Sequence, residues 1–238
     1  MLQDLVVDKP PVLRETLAAR FESEGRRALA TRGRFAVALP GGSVATGFFP
    51  RLARVPLDWS RTEFFWGDER AVPPSDPESN YALARALWLD PAGVPAERVH
   101  RMDADAGDLE GAAAACADEL RRVLGTPPRL DFVLLGVGPD GHVCSLFPGH
   151  ALLREERLWV AAVRDAPKPP PRRLTLTLPS LAAAELVVVA ALGDTKASAV
   201  RDALEDGTSS SPLALVRRRA RRTVVLLDPP AARLLSPK

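Results

Sequence analysis

Apolar residues recur every three to four positions over residues 12–32, the spacing of one helical face, and then close up into RFAVAL at 34–39, a short strand. The same switch repeats along the chain. Helical patterns cover 44–52, 78–89 and the alanine-rich 109–124, while 62–66 and 130–135 read as strands. The second of these, LDFVLL, has the apolar run of a strand buried on both faces. Further strands are predicted at 158–163, 174–178, 186–192 and 223–227. Strands that alternate with helices imply an α/β fold with a largely parallel sheet and right-handed crossovers. No internal repeat interrupts the pattern.

Composition narrows the class and the partners. At 238 residues and ~150 residues per domain, the chain is one large domain or two small ones. Apolar residues at 46% and charged residues at 26% exclude a mainly disordered chain. The 32 basic and 30 acidic residues leave +2, too balanced to make nucleic acid or an anionic membrane the default partner. A small polar or anionic ligand stays open. The longest strongly apolar stretch, residues 186–192, is far below the ~18 needed to span a bilayer. The opening MLQDLVVDKPP lacks the pattern of a secretory signal, so a cytoplasmic protein is expected. Cys116 and Cys144 make neither a disulfide scaffold nor a metal-ligand spacing. APKPPP at 166–171 reads as an ordered loop within one domain. RRRARR at 217–222 reads as a solvated loop leading into the last strand, with an anionic-partner patch as the alternative. Of the 32 basic residues only Lys9, Lys168, Lys196 and Lys238 are lysine, which makes each of them worth following.

Ligands of α/β sheets sit beyond the carboxyl ends of the strands, and four loops there carry chemistry. In PGGS, Gly41, Gly42 and Ser43 follow a strand and open a helix, where free N–H groups and the helix dipole favour a phosphate. Small residues also suit any tight strand-to-helix turn. In FFWGDER a strand ends at Asp68, Glu69 and Arg70, three charges expected outside the core. Arg70 suits phosphate oxygens while a carboxylate fixes its orientation, with a surface salt bridge as the alternative.

The third loop, LLGVGPDGHVCSLFPGH, satisfies G-x-G-x-x-G at Gly136, Gly138 and Gly141. A dinucleotide loop should open a long helix, and Pro148 comes too soon for one. What the loop offers is Asp140 and His142 in a glycine-rich turn, with an imidazole that is mostly neutral at pH 7 and ready to accept a proton. His100 and His150 lack such a setting and are assigned surface or core roles. Cys144 and Ser145 lie outside a G-x-S-x-G elbow, which argues against a covalent mechanism. The fourth loop, LGDTKA, sets Lys196 in the first turn of a helix, where a cation opposes the macrodipole unless an anion sits nearby. A solvated lysine is the alternative.

Together PGGS, FFWGDER with the later SNY, LLGVGPDGHVCSLFPGH, PKPPPRRLTLTLP and LGDTKA resemble the 6-phosphogluconolactonase family, within the wider glucosamine-6-phosphate isomerase group. They run in the family's order from Pro40 to Ala197. The resemblance implies a single domain, 1–238, with a modified Rossmann-like, mostly parallel sheet flanked by helices. It implies metal-free and cofactor-free hydrolysis of 6-phospho-D-glucono-1,5-lactone, the second step of the oxidative pentose phosphate pathway. Carried over by position, His142 matches the general base, and Gly41, Gly42, Ser43, Arg70, Arg173 and Lys196 match the phosphosugar site.

On this reading Asp140 orients His142, N–H groups from Gly138 to Gly141 face the oxyanion with Lys196, and Asp68 and Arg70 belong to the substrate site. The expected partner is a small phosphosugar lactone, with no nucleic acid or membrane, on a monomer or weak homo-oligomer. At 211–216 the chain reads SPLALV where the family often has an L-P-A turn, and no ligand contact is carried over there. Two rivals remain. A glucosamine-6-phosphate deaminase or sugar-phosphate isomerase would carry a different tail after DGH, and a non-catalytic sugar-phosphate sensor would need a DNA-binding module and no His142.

Overall fold

The computed structural model describes residues 4–236. In chain order the elements are β1 (Asp4–Val7), α1 (Pro10–Arg32), β2 (Phe35–Leu39), α2 (Gly42–Leu52), β3 (Thr62–Trp66), β4 (Asp68–Arg70), α3 (Asn80–Ala84) and α4 (Leu109–Leu124). The second half adds β5 (Phe132–Gly136), β6 (Val160–Val163), β7 (Arg173–Leu176), α5 (Leu178–Ala183), β8 (Val187–Ala191), α6 (Ala197–Glu205), α7 (Pro212–Arg219), β9 (Thr223–Leu227) and α8 (Pro229–Ala232). Six strands form a parallel sheet in the order β1-β9-β8-β5-β2-β3, as the alternating pattern predicts.

Every residue of β2, β3, β8 and β9 is buried, because helices cover both faces of the sheet. On one face Phe21 of α1 packs edge-on against Phe35 and Phe132, with ring centroids 5.0 and 5.1 Å apart. Gly33 ends α1 in the left-handed region at φ 74°, its N–H bonded to the Leu29 carbonyl. No described helix is long and apolar enough to cross a membrane.

One strand goes unpredicted and three expectations need correction. β1 carries too few residues to register as a strand by periodicity, yet it pairs with β9 through Asp4 to Val7. Helix 78–89 begins later, at Asn80, because the Ser79 hydroxyl caps it by accepting the Ala82 N–H, and its second half, Arg85–Leu89, relaxes into a π-turn. The first three arginines of 217–222 form the last turn of α7, where cations suit the helix carboxyl end. The DER triplet is a strand, not a loop. After Gly67 the chain leaves the parallel sheet, and β4 joins β7 and β6 in a separate antiparallel sheet, with Asp68 opposite Thr175 and Arg70 opposite Arg173.

Candidate active site

Strand order creates one crevice. β2 runs on to β3 on one side, while its other neighbour β5 runs on to β8 and β9, so the loops after β2 and β5 diverge. A cavity of about 260 Å³ opens between them, lined by residues 40–44 and 135–139 together with His142. Arg70, Lys168, Arg173 and Lys196 face it against the single carboxylate of Asp68. Such a lining favours an anionic ligand.

The first turn of α2 meets the cavity bare. Gly41 provides no capping side chain, and no acidic residue lies in that turn, so its N–H groups are left for a ligand. Gly42 adopts φ 62°, which glycine takes without strain. At Gly41 a Cβ would come within 1.7 Å of Asn80 Oδ1, so the turn and the SNY segment require each other.

Asp68 and Glu69, expected outside the core, are only 7% and 4% exposed. Surplus donors from the SNY segment allow it. Glu69 accepts the N–H groups of Arg70, Asn80 and Tyr81, each at 2.8 Å, and the Ser79 hydroxyl at 3.0 Å. Burial pushes its pKa up against these four bonds, which hold the charged form. Asp68 accepts the Ser145 hydroxyl at 2.6 Å and the Asn80 amide at 3.2 Å. Arg70 donates to the Glu78 carbonyl at 2.6 Å, and its Nε lies buried with no partner among the described residues.

In the GPDGH turn His142 Nδ1 lies 2.6 Å from Asp140 Oδ1. An ionised carboxylate accepts only, so Nδ1 holds the proton and Nε2 is the acceptor left over. Burial lowers the His142 pKa and outweighs the opposing pull of Asp140. For Asp140 burial acts upward, but the hydrogen bond and charge of His142 together with the Lys168 bond bring its pKa down to about 2. Gly138 makes room for the pair, since a Cβ there would fall 2.0 Å from His142 Nδ1.

The turn corrects two expectations. The Gly138 N–H is bonded to the His142 carbonyl at 2.8 Å and the Gly141 N–H to the Gly138 carbonyl at 3.0 Å, so neither is free for an oxyanion. Gly141 does not line the cavity; its open side faces Ser211 and Ala199. Asp140 likewise sits behind His142 and outside the lining. SPLALV acts as a backstop, with Leu213 N–H donating to the Gly141 carbonyl.

Arg173 reaches the cavity with most donors already used. It bonds the carbonyls of Lys168, Pro169 and Pro170 at 3.0, 3.1 and 2.9 Å, and its Nη1 stands 3.9 Å from Asp68. Burial and the nearby Lys168 charge lower the Lys196 pKa. Cys144 lines the cavity and is partly exposed, but burial around its thiol drives the pKa well up, and Ser145 is 0% exposed, so neither is placed as a nucleophile. His100 lies between Glu63 and Glu119, and His150 pairs with Asp165, both away from the cavity. Two polar residues of the cavity lining were given no role by the sequence reading, Asn80 and Lys168. The scarcity of lysine was the signal for the second.

The pattern of the family described as glucosamine-6-phosphate isomerases/6-phosphogluconolactonase matches residues 8–225. A 6-phosphogluconolactonase of Streptomyces coelicolor is 43% identical over 235 residues, 93% of this chain and 90% of that one. Another from Rattus norvegicus is 43% identical over 212 residues, 86% of this chain and 82% of its own. Among solved structures, a 6-phosphogluconolactonase from Trypanosoma cruzi superposes with a TM-score of 0.87 at 26% identity, covering 98% of this chain and 97% of its own.

Proposed function

The chain belongs to the glucosamine-6-phosphate isomerase/6-phosphogluconolactonase family, and on that premise we propose that it hydrolyses 6-phospho-D-glucono-1,5-lactone to 6-phospho-D-gluconate. It is a carboxylic ester hydrolase of the oxidative pentose phosphate pathway. One observation carries the residue-level reading: the His142–Asp140 pair and the uncapped start of α2 serve the same positively lined cavity.

His142 Nε2 takes a proton from water as the water oxygen bonds to the lactone carbonyl carbon. The carbonyl oxygen becomes an oxyanion, faced by the Lys196 ammonium. Collapse of this intermediate breaks the bond to the ring oxygen, which takes the proton from Nε2, and the new carboxyl group then ionises. Asp140 holds Nδ1–H throughout and stabilises the transient imidazolium. The phosphate rests on the N–H groups at Gly41, Gly42 and Ser43 beside Arg70, while Asp68 and Arg173 shape the wall.

The chain works as one domain, 1–238, in the cytoplasm, as a monomer or weak homo-oligomer that binds a small phosphosugar and neither nucleic acid nor membrane. The deciding experiment is a pH-stat or coupled assay on freshly generated lactone, corrected for spontaneous hydrolysis, with ammonia release from glucosamine 6-phosphate measured in parallel. Lactone turnover above background without ammonia is expected; no excess over background overturns the reading.

Two further results are expected. Arg70→Ala raises KM for the phosphorylated lactone about tenfold or more and leaves the unphosphorylated analogue nearly unchanged, since a charged hydrogen bond is worth ~1.5–3 kcal/mol. An equal loss on both substrates would show that Arg70 is no phosphate anchor. The second concerns pH. A base works unprotonated, and burial lowers the His142 pKa, so kcat/KM falls on the acid side with a limb below the ordinary imidazole value of ~6.5. A limb above that value would contradict the assignment.

A further inference from the structure

Lys168 has no part in the steps above, yet among the described residues it is the cation within hydrogen-bond reach of the His142–Asp140 pair. Its Nζ lies 3.2 Å from Asp140 Oδ1 and 3.2 Å from His142 Nδ1. An ammonium can only donate, and Nδ1 is already committed to Asp140 as a donor. The short Nζ to Nδ1 distance therefore marks two donors that share one acceptor, Asp140 Oδ1.

The backbone that carries Lys168 is held with unusual care. Ala166 N–H bonds the Pro171 carbonyl at 3.0 Å and closes the strap, and the buried guanidinium of Arg173 gathers the carbonyls of Lys168, Pro169 and Pro170. Arg173 is only 4% exposed, so these bonds form where water competes little. A solvated lysine on a free loop needs no such clasp.

We propose that Lys168 is a positioning residue for lactone hydrolysis: by bonding the Asp140 Oδ1 that His142 also uses, it holds that carboxylate in place against the Nδ1–H, so that the ring keeps its orientation and the Nε2 lone pair is turned to the substrate. Arg173 is the clasp that sets it there. The proposal rests on His142 being the base.

The charges around His142 act in both directions. Asp140 from its own loop and Asp68 from β4 favour the protonated ring, and Lys168 opposes them. Lys196, ahead of α6, acts on Lys168 and Asp140. Arg173 from β7 lies over the Phe147 ring at 5.7 Å, and that ring packs on His142 at 4.8 Å between centroids.

The test compares Lys168→Met with Lys168→Arg. Ring NMR of the three histidines, with His142 assigned through His142→Asn, follows protonation without any substrate. In Lys168→Met the His142 midpoint moves to higher pH, because both the repulsion of Lys168 and its claim on Asp140 are gone; in Lys168→Arg it stays near the native value. The acid limb of kcat/KM follows the same shift, and kcat at neutral pH falls about tenfold with KM little changed, the penalty of a misaligned or protonated base. An unmoved midpoint in Lys168→Met overturns the proposal. Ring nitrogen shifts of the native protein supply a reading that needs no variant: a proton on Nε2 in place of Nδ1 also overturns it. Absent lactone turnover, by contrast, would count against the reaction and leave the NMR outcome to judge Lys168.

Discussion

Replacing His142 by alanine lowers kcat for the phosphorylated lactone by about 10² to 10⁴, the usual contribution of a positioned general base, with KM within a few-fold of the native value. The split follows from the site. The proposed phosphate anchors are the α2 turn and Arg70, and neither the turn N–H groups nor the guanidinium hydrogen-bonds His142, so binding survives the change. What is lost is the acceptor at Nε2 and, with the Nδ1–H bond, part of what keeps Asp140 ionised so far into acid. The half-buried ring packs on Phe147, and its removal leaves room for water, so the fold stays near native stability. The check is kcat on freshly generated lactone with spontaneous hydrolysis subtracted, beside a thermal melt of the same preparation. A variant with native kcat removes His142 from the mechanism.

Glu69→Ala acts on stability instead, with an expected loss of about 3–5 kcal/mol. Both carboxylate oxygens are fully used: one by the N–H groups of Arg70 and Asn80, the other by the Ser79 hydroxyl and the Tyr81 N–H. Truncation strands these donors in a place the native side chain leaves 4% exposed. It also releases the segment that presses Asn80 onto Gly41 and carries the carbonyl that Arg70 grips, so KM rises along with the loss of stability. Glu69→Gln keeps one oxygen but turns an NH₂ toward donors, and should fall between the two. Urea titration reads the effect as a lower midpoint with an unchanged slope. A loss under ~1 kcal/mol for the alanine variant would mean that water or neighbouring groups replace the carboxylate.

Much of the site was legible because it is local. Gly41, Gly42 and Ser43 start a helix after a strand, and Asp140 and His142 are two residues apart in one turn, so their contact follows from chain geometry. Glycine at 138 signals close packing, but it does not say what packs; the Cβ clash is with His142, and the freed backbone N–H is bonded within the turn and not offered to substrate. The same limit misled the reading of DER. Charge at a strand end normally means solvent, and nothing near Glu69 in the chain announces that four donors from residues 70 and 79–81 will surround it.

The chain by itself determined most of the alternation of strands and helices, the parallel sheet and the glycines of the two cavity turns, and it singled out His142 as the candidate base, since periodicity, turn chemistry and short-range hydrogen bonds act between residues close in sequence. Tertiary structure alone decided which charges are buried, which N–H groups stay free and which cation meets His142. Those outcomes depend on partners brought from afar, 77 residues between Asp68 and Ser145 and 28 between Asp140 and Lys168, and on the competition for each donor and acceptor once water has been excluded.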